Sequence, residues 1–329
     1  MKLSDIARLA GVSVTTASYV INGKAAQQRI SAKTVERVQT IVEQHGFTPN
    51  PQAAGLRSRF TRTLGFILPD LENPSYARVA KLLEQGARAR GYQLLIASSD
   101  DEPDSERQLL QLFKARRCDA LIVATCLPAD DSSYRELQER GTPIVAIDRV
   151  LDPERFCSVI SDDQQASFQL TGSLLARSPR HIAMLGARSE LSVSQAREAG
   201  FRQALEGFKG EVVVELGEAF SRETGRHLTE QLIKRLGQLP DALMTASYVL
   251  LQGVFDVLHK HGMPEHLRVG TFGDTQLLDF LPLPINAMAQ QHDLIASRAL
   301  ELAIGAIENG TYTPGVQAIA RTFKDRQKA

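Results

Sequence analysis

The chain has only three cysteines in 329 residues, and Cys118, Cys126 and Cys157 stand in no CxxC or paired spacing. An odd, scattered set excludes a disulfide framework and a cysteine-based zinc site, and it fits a reducing cytoplasm. No stretch approaches the roughly 18 consecutive apolar residues of a membrane span. The N-terminal run MKLSDIARLAG carries Asp5 and Arg8 where a signal peptide needs an apolar core. The expectation is a cytoplasmic protein, neither exported nor anchored. Catalytic signatures are missing as well: there is no GxxxxGK(S/T) phosphate loop, no GxGxxG behind the first strand, no GxSxG elbow and no HExxH. His259 and His261 lie two apart, which is wrong for one helical face, and with His266 they read as a solvated helix end. No catalytic residue, metal ligand or cofactor is expected.

Net charge is also absent, with 38 basic residues against 38 acidic ones, which by itself argues against a polyanionic partner. The distribution reverses that argument. Residues 1–62 hold nine Lys or Arg against only Asp5, Glu36 and Glu43, so the head is basic and the remainder correspondingly acidic. A basic head can displace counterions from a phosphate backbone while an acidic body stays off it. With 43% hydrophobic residues the chain is globular, and its length suits a small domain plus a large one.

The head reads as three short helices around one small core. Ser4 and Asp5 offer a cap and an acidic first turn, followed by Ile6, Leu9 and Ala10 at helical spacing and a stop at Gly11. Ser13 caps a second helix over Val14 to Ile21 that closes at Asn22-Gly23, and a third starts at Ser31 and ends by Gly46. Two helices meeting at a tight glycine turn form a helix-turn-helix, whose second helix enters the major groove. Its outward positions are Val14, Thr15, Ser18 and Tyr19. Methyl groups of Val14 and Thr15 suit thymine methyls, while Thr16, Ser18 and Asn22 reach phosphates. No arginine lies on this face, so guanine readout comes from Arg29 in the Lys24 to Ile30 loop or is replaced by indirect readout. In PNPQAAGLRSR, Asn50 caps a segment beginning at Pro51, too short to be helical alone. It is either a hinge helix that orders in the minor groove with Leu56 as a wedge, or an alanine-rich linker.

The body alternates strands and helices: strand 64–68, helix 76–90, strand 93–97, helix 105–116, strand 120–124, helix 134–140 and strand 144–147. A second series follows from Ser161, with strands at 181–185, 212–215, 242–245, 269–272 and 287–289. The fold class is therefore α/β: a small all-α headpiece plus a two-lobed body of two parallel, doubly wound sheets. Domains fall at 1–48 (headpiece), 49–61 (hinge and linker) and 62–329 (body), with one lobe about 62–160 and 291–320 and the other about 161–290. Ligands of open parallel sheets bind beyond the strands' carboxyl ends. The polar residues there are Asp70, Asn73, Ser75, Tyr76, Thr125, Asp148 and Arg149 in the first lobe. In the second they are Ser192, Ser194, Arg197, Ser247, Asp274, Gln290 and Gln291. Each alone could be a cap or turn residue. Recurring in both lobes, carboxylates and amides suit sugar hydroxyls and two arginines suit a phosphate, which points to a phosphorylated sugar.

The runs LSDIARLAGVSVTTASYVING, ISAKTVERV and PNPQAAGL resemble the headpiece and hinge of the lactose/galactose repressor family, and the long loop NGKAAQQRIS resembles its fructose-repressor branch. That resemblance implies base reading by Val14, Thr15 and Tyr19, phosphate contacts from Ser18, Asn22, Ser31 and Thr34, and intercalation by Leu56. Thr16, Arg29, Asn50 and Ala53 complete the expected DNA-contacting set. Over residues 60–329 it implies a body like periplasmic sugar-binding proteins, with Asp148, Arg149 and Arg197 as central effector contacts. The family's usual Phe-Asp-Asp or Tyr-Asp-Asp is here Phe272-Gly273-Asp274. The implied function is a repressor, or dual repressor/activator, of sugar genes. It would bind a pseudo-palindromic DNA operator as a homodimer, with a tetramer left open, although RTFKDRQKA lacks leucine heptads. Fructose 1-phosphate is the first implied effector and fructose 1,6-bisphosphate the second. A sugar receptor using the same body is the alternative, but it would need a signal peptide and no headpiece.

Overall fold

The computed structural model describes residues 1–47, 60–128, 130–264 and 266–327. The chain divides into two compact units, 1–61 and 62–329. The expected hinge residues Asn50, Ala53 and Leu56 lie outside the described residues.

The first unit contains α1 (Leu3–Leu9), α2 (Val14–Ile21) and α3 (Ala32–Gln44). Ile6, Ala10, Val20 and Val38 form its buried centre, because the apolar positions of each helix recur on one face. Ala25, Ile30 and Phe47 pack against that centre, so the long loop after α2 is pinned from within. Gly11, Gly23 and Gly46 all have φ near +60°, the left-handed conformation that ends each helix cheaply. Ser13 and Ser31 cap α2 and α3 by accepting the backbone N–H groups of Thr16 and Thr34. The cap of α1 differs from the expectation at Ser4. The helix begins two residues earlier, with Lys2 as its cap, because the Asp5 carboxylate reaches back to accept the Lys2 N–H at 2.8 Å.

The second unit holds two six-stranded sheets. The first lobe takes β1 (Thr63–Leu68), α4 (Pro74–Ala89), β2 (Gln93–Ser98), α5 (Pro103–Ala115), β3 (Ala120–Val123), α6 (Ser133–Glu139), β4 (Ile144–Ile147) and β5 (Cys157–Ser161). The chain then crosses into the second lobe: α7 (Asp163–Leu174), β6 (His181–Ala187), α8 (Ser192–Ala204), β7 (Glu211–Gly217), α9 (Arg222–Leu236), β8 (Ala242–Thr245), α10 (Tyr248–His261), β9 (Arg268–Phe272) and β10 (Ile285–Ala289). It returns for α11 (His292–Asn309) and β11 (Gly315–Ile319), and crosses a third time for β12 (Thr322–Lys324).

Strand order is β11-β5-β4-β3-β1-β2 in one sheet and β12-β10-β9-β8-β6-β7 in the other. All pairings are parallel except β12, which runs antiparallel to β10. Both sheets therefore reverse direction of winding between their first and third strands, at β1/β3 and β6/β8, and ligand crevices open at such points. Apolar cores fill both faces of each sheet, as the continuous burial of β1, β3, β4 and β8 requires. Three elements are absent from the sequence pattern: β5, whose Ser158 and Ser161 break its apolar run, and the short strands β11 and β12. Each of them exists because a distant strand pairs with it.

Two pairs of helices approach closely on glycine. A Cβ on Gly200 of α8 would lie 2.1 Å from the Gln164 carbonyl oxygen of α7. Gly225 and Gly253 interlock α9 with α10, where a Cβ on either would fall 2.1 Å from a facing backbone oxygen. Among the described residues no helix is long and apolar enough to cross a membrane.

Candidate functional site

A cavity of about 390 Å³ lies between the two lobes of the body, at the carboxyl ends of the strands. The turn after β1 gives it Pro69, Asp70 and Asn73, and the turn after β8 gives it Ala246 and Ser247. Asn73 and Ser247 are the caps of α4 and α10, accepting the N–H groups of Ser75 and Val249. Both helix N-termini thus face the cavity region with their positive dipole ends, a setting that favours an anion.

Asp148 occupies the turn after β4 with φ +63°, a strained left-handed position for a residue with a Cβ. Its carboxylate accepts the Tyr76 hydroxyl at 2.7 Å and, at 3.4 Å, the amide of Gln290. Burial disfavours its charge, yet Arg197, the Tyr76 hydroxyl, Arg149 and Arg321 together hold its pKa below the ordinary carboxylate range. The Tyr76 hydroxyl is pushed well up, by burial first and then by the neighbouring Asp148. Gln290, at one of the three crossings between lobes, also accepts the Ser75 hydroxyl at 2.6 Å and donates to Ser161 at 3.1 Å.

Three arginines with buried side chains line the same space. Arg149 donates twice to Asp101, at 2.6 and 3.2 Å, and once to the Thr125 carbonyl at 3.0 Å. Arg197 donates to the Ala246 carbonyl at 2.7 Å and to Asp163 at 3.2 Å, with its guanidinium 4.5 Å from the centre of the Phe272 ring. Arg321, at the third crossing, pairs with the other oxygen of Asp163 at 2.6 Å and also lies over Phe272, at 5.2 Å. The Nε atoms of Arg149 and Arg197 are buried without a hydrogen-bond partner among the described residues. The lining as a whole carries Arg78, Arg149, Arg197 and Arg321 against Asp70, Asp101, Asp148 and Asp274. His292 stays neutral: burial, Arg321 and Arg78 lower its pKa to about 4, and its Nε2 sits 2.8 Å from the Ser75 hydroxyl.

Of the residues expected at the effector site, the structure brings together Asn73, Ser75, Tyr76, Asp148, Arg149, Arg197, Ser247, Asp274 and Gln290. Four others lie off the cavity wall, and each for a visible reason. The Thr125 hydroxyl is taken by the buried Glu106. Ser194 donates to the Ala187 carbonyl. Ser192 is an exposed first residue of α8. Gln291 donates to Thr322 at 3.0 Å. Asp274 is on the wall, but Arg326 from the C-terminal tail holds one of its oxygens at 2.8 Å. Sequence reasoning missed Arg321, Asp163, Asp101 and His292. Arg321 stands in a tail that reads as polar, and Asp163 follows a strand without a clear pattern. Only the pairing of β11 and β12 with different sheets reveals that Arg321 crosses between the lobes.

In the first unit Val14 and Thr15 are exposed at the start of α2, while Ser18 and Tyr19 are half-buried. Thr16 and Thr34 turn their hydroxyls to the cap serines Ser13 and Ser31, at 2.8 and 3.0 Å. Asn22 donates to the Ser18 carbonyl at 2.8 Å. Arg29 is exposed, with φ +52°. The exposed start of α2, capped and backed by a rigid core, is the geometry by which a helix-turn-helix reads a major groove.

A basic three-helix unit and a two-lobed, sugar-sized cleft define a ligand-responsive DNA-binding protein. The chain belongs to the LacI family of bacterial regulatory proteins: residues 2–50 match that family's model, and residues 61–284 match the periplasmic binding proteins and sugar binding domain of the LacI family. It is a DNA-binding transcriptional regulator of the sugar-operon class, and not an enzyme. It is 47% identical over 327 residues to the fructose operon regulatory protein of Vibrio cholerae, covering 99% of this chain and 100% of that one. It is 46% identical over 329 residues to the catabolite repressor/activator of Escherichia coli, covering 99% and 98%. A solved structure of the Cra transcriptional dual regulator from Pseudomonas putida, in complex with fructose 1-phosphate, is 70% identical with a TM-score of 0.79, covering 80% of this chain and 98% of that one.

Proposed function

We propose that the chain binds a pseudo-palindromic operator as a homodimer and is released from it by a phosphorylated fructose, with fructose 1-phosphate favoured over fructose 1,6-bisphosphate. The observation that carries the effector reading is the convergence of three arginines with buried side chains, Arg149, Arg197 and Arg321, on one cavity of about 390 Å³. Such forks suit a phosphate, while Asp148, Gln290 and Asn73 suit hydroxyl groups. Charge supports the monophosphate. Four arginines face four aspartates on the wall, so each phosphate is taken up against a lining without excess positive charge, and one phosphate is held more easily than two. The relatives whose names and structure refer to fructose and fructose 1-phosphate support the same sugar.

For the headpiece, Val14, Thr15 and Tyr19 read base edges, and Ser18, Asn22, Ser31 and Thr34 anchor on phosphates. A dimer is supported by large apolar side chains left exposed on the body, chiefly Leu277 at 64% and Phe280 at 77% on the turn Gln276–Phe280. Effector binding draws the lobes together about the three crossings, near Asp162, Gln290 and Arg321, and this alters the spacing of the paired hinges. Coupling of about 1–3 kcal/mol changes operator affinity roughly 5- to 150-fold, enough for regulation. The test is an operator-binding titration at fixed salt with fructose 1-phosphate, fructose 1,6-bisphosphate and free fructose. Release by the 1-phosphate at the lowest concentration is expected. Release by free fructose at equal concentration would refute the phosphate reading.

A further inference from the structure

Glu106, on α5, is a charged residue with no exposed surface. Three groups converge on its carboxylate. The Thr125 hydroxyl reaches Oε1 at 2.6 Å, the Cys126 N–H reaches Oε2 at 2.6 Å, and the Tyr134 hydroxyl also bonds Oε1. The Thr125 oxygen accepts the Leu127 N–H at 3.0 Å, so its own proton is committed to Glu106. A backbone N–H can only donate. Glu106 therefore acts as an acceptor at both oxygens, which is the arrangement of a fully satisfied carboxylate.

The turn gripped in this way is the one that follows β3, and its Thr125 carbonyl accepts Arg149 Nη1 at 3.0 Å. Asp101 takes the outer N–H groups of the same guanidinium. Arg149 is thus held on one side by a carboxylate on the cavity wall and on the other by a backbone oxygen whose place Glu106 fixes. Apolar packing of similar shape commonly supplies as much stability as a buried charge, so a buried carboxylate in this position calls for a further reason.

We propose that Glu106 is a positioning residue for the effector: it locks the Thr125–Leu127 turn and thereby aims Arg149 at the phosphate. The proposal rests on the reading of Arg149 as a phosphate-binding residue. Glu106→Gln keeps the shape but removes the charge and one acceptor end, so the Thr125 and Tyr134 hydroxyls must turn from donors to acceptors, and the grip on the turn and on the Arg149 contact loosens.

The test measures fructose 1-phosphate affinity by calorimetry and half-release of operator DNA for the wild type, Glu106→Gln, Arg149→Ala and the double variant. Glu106→Gln is expected to weaken effector binding roughly tenfold and to leave operator affinity without effector unchanged. In the Arg149→Ala background the same substitution is expected to add nothing, because its target is gone. Tyr134→Phe removes one donor and leaves both oxygens bonded, so a smaller shift in the same direction is expected, and it carries the test if Glu106→Gln does not fold. Unshifted effector affinity, or a loss that adds fully to that of Arg149→Ala, would overturn the assignment. A wild-type protein that ignores fructose 1-phosphate would instead bring down the effector reading beneath it.

Discussion

Arg197→Ala separates the two halves of the mechanism most cleanly. Arg197 is 7% exposed and makes three interactions: the Ala246 carbonyl at 2.7 Å, Asp163 at 3.2 Å and the Phe272 ring at 4.5 Å. Stranding a buried carboxylate would cost about 3–5 kcal/mol, but Asp163 keeps Arg321 at 2.6 Å and is not stranded. The loss is then two charge-assisted hydrogen bonds and one cation–π contact, together roughly 4–6 kcal/mol of stability. A folded protein is expected, with operator affinity in the absence of effector close to wild type, since Arg197 belongs to the body. Effector binding loses a charged hydrogen bond to phosphate, about 1.5–3 kcal/mol, so half-release should require roughly 10- to 150-fold more fructose 1-phosphate. Fluorescence anisotropy of labelled operator at constant salt reads both quantities. Half-release at the wild-type concentration would remove Arg197 from the site. Weakened operator binding without effector would show that the pair with Asp163 serves the DNA-binding state instead.

Gly253→Ala places a Cβ 2.1 Å from the Arg222 carbonyl oxygen and 2.2 Å from the Arg226 nitrogen, so α9 and α10 must separate; a loss of about 3 kcal/mol in denaturant unfolding is expected, and unchanged stability would show that the helices are free to part. His292 has its pKa lowered from 6.5 to about 4 in the fold, chiefly by burial, so between these values the unfolded chain takes up a proton that the folded one refuses. Stability should therefore fall as pH drops from 6.5 toward 4, and His292→Gln should flatten that slope in unfolding curves taken across the window; an unchanged slope would refute the assignment. Phe280→Glu sets a charge on the most exposed of the large apolar side chains. If this face forms the proposed dimer, sedimentation should show the variant as monomer at concentrations where the wild type self-associates, and a retained dimer would place the interface elsewhere.

What the sequence determined by itself is local. Glycines at 11, 23 and 46, serine caps at 13 and 31 and apolar residues at helical spacing are all short-range signals, and the headpiece they describe is the one observed. The alternation of strands and helices is equally short-range, and it was enough to place Asp148, Arg149, Arg197 and Asn73 at strand ends where a crevice opens. Tertiary structure decided which of those residues share a wall. Ser192, Ser194 and Gln291 follow strands just as Ser247 and Gln290 do, yet only the latter two line the cavity, because side-chain direction depends on helix starts and partners far along the chain. Thr125 shows the difference most sharply: its position was legible, but its hydroxyl is spent on Glu106, 19 residues away, and its carbonyl on Arg149. Arg321 and Asp163 are separated by 158 residues and meet only because β11 pairs with one sheet and β12 with the other. No periodicity records such a meeting, since it depends on long-range strand pairing, and so the third arginine of the cleft belongs to the fold and not to any motif.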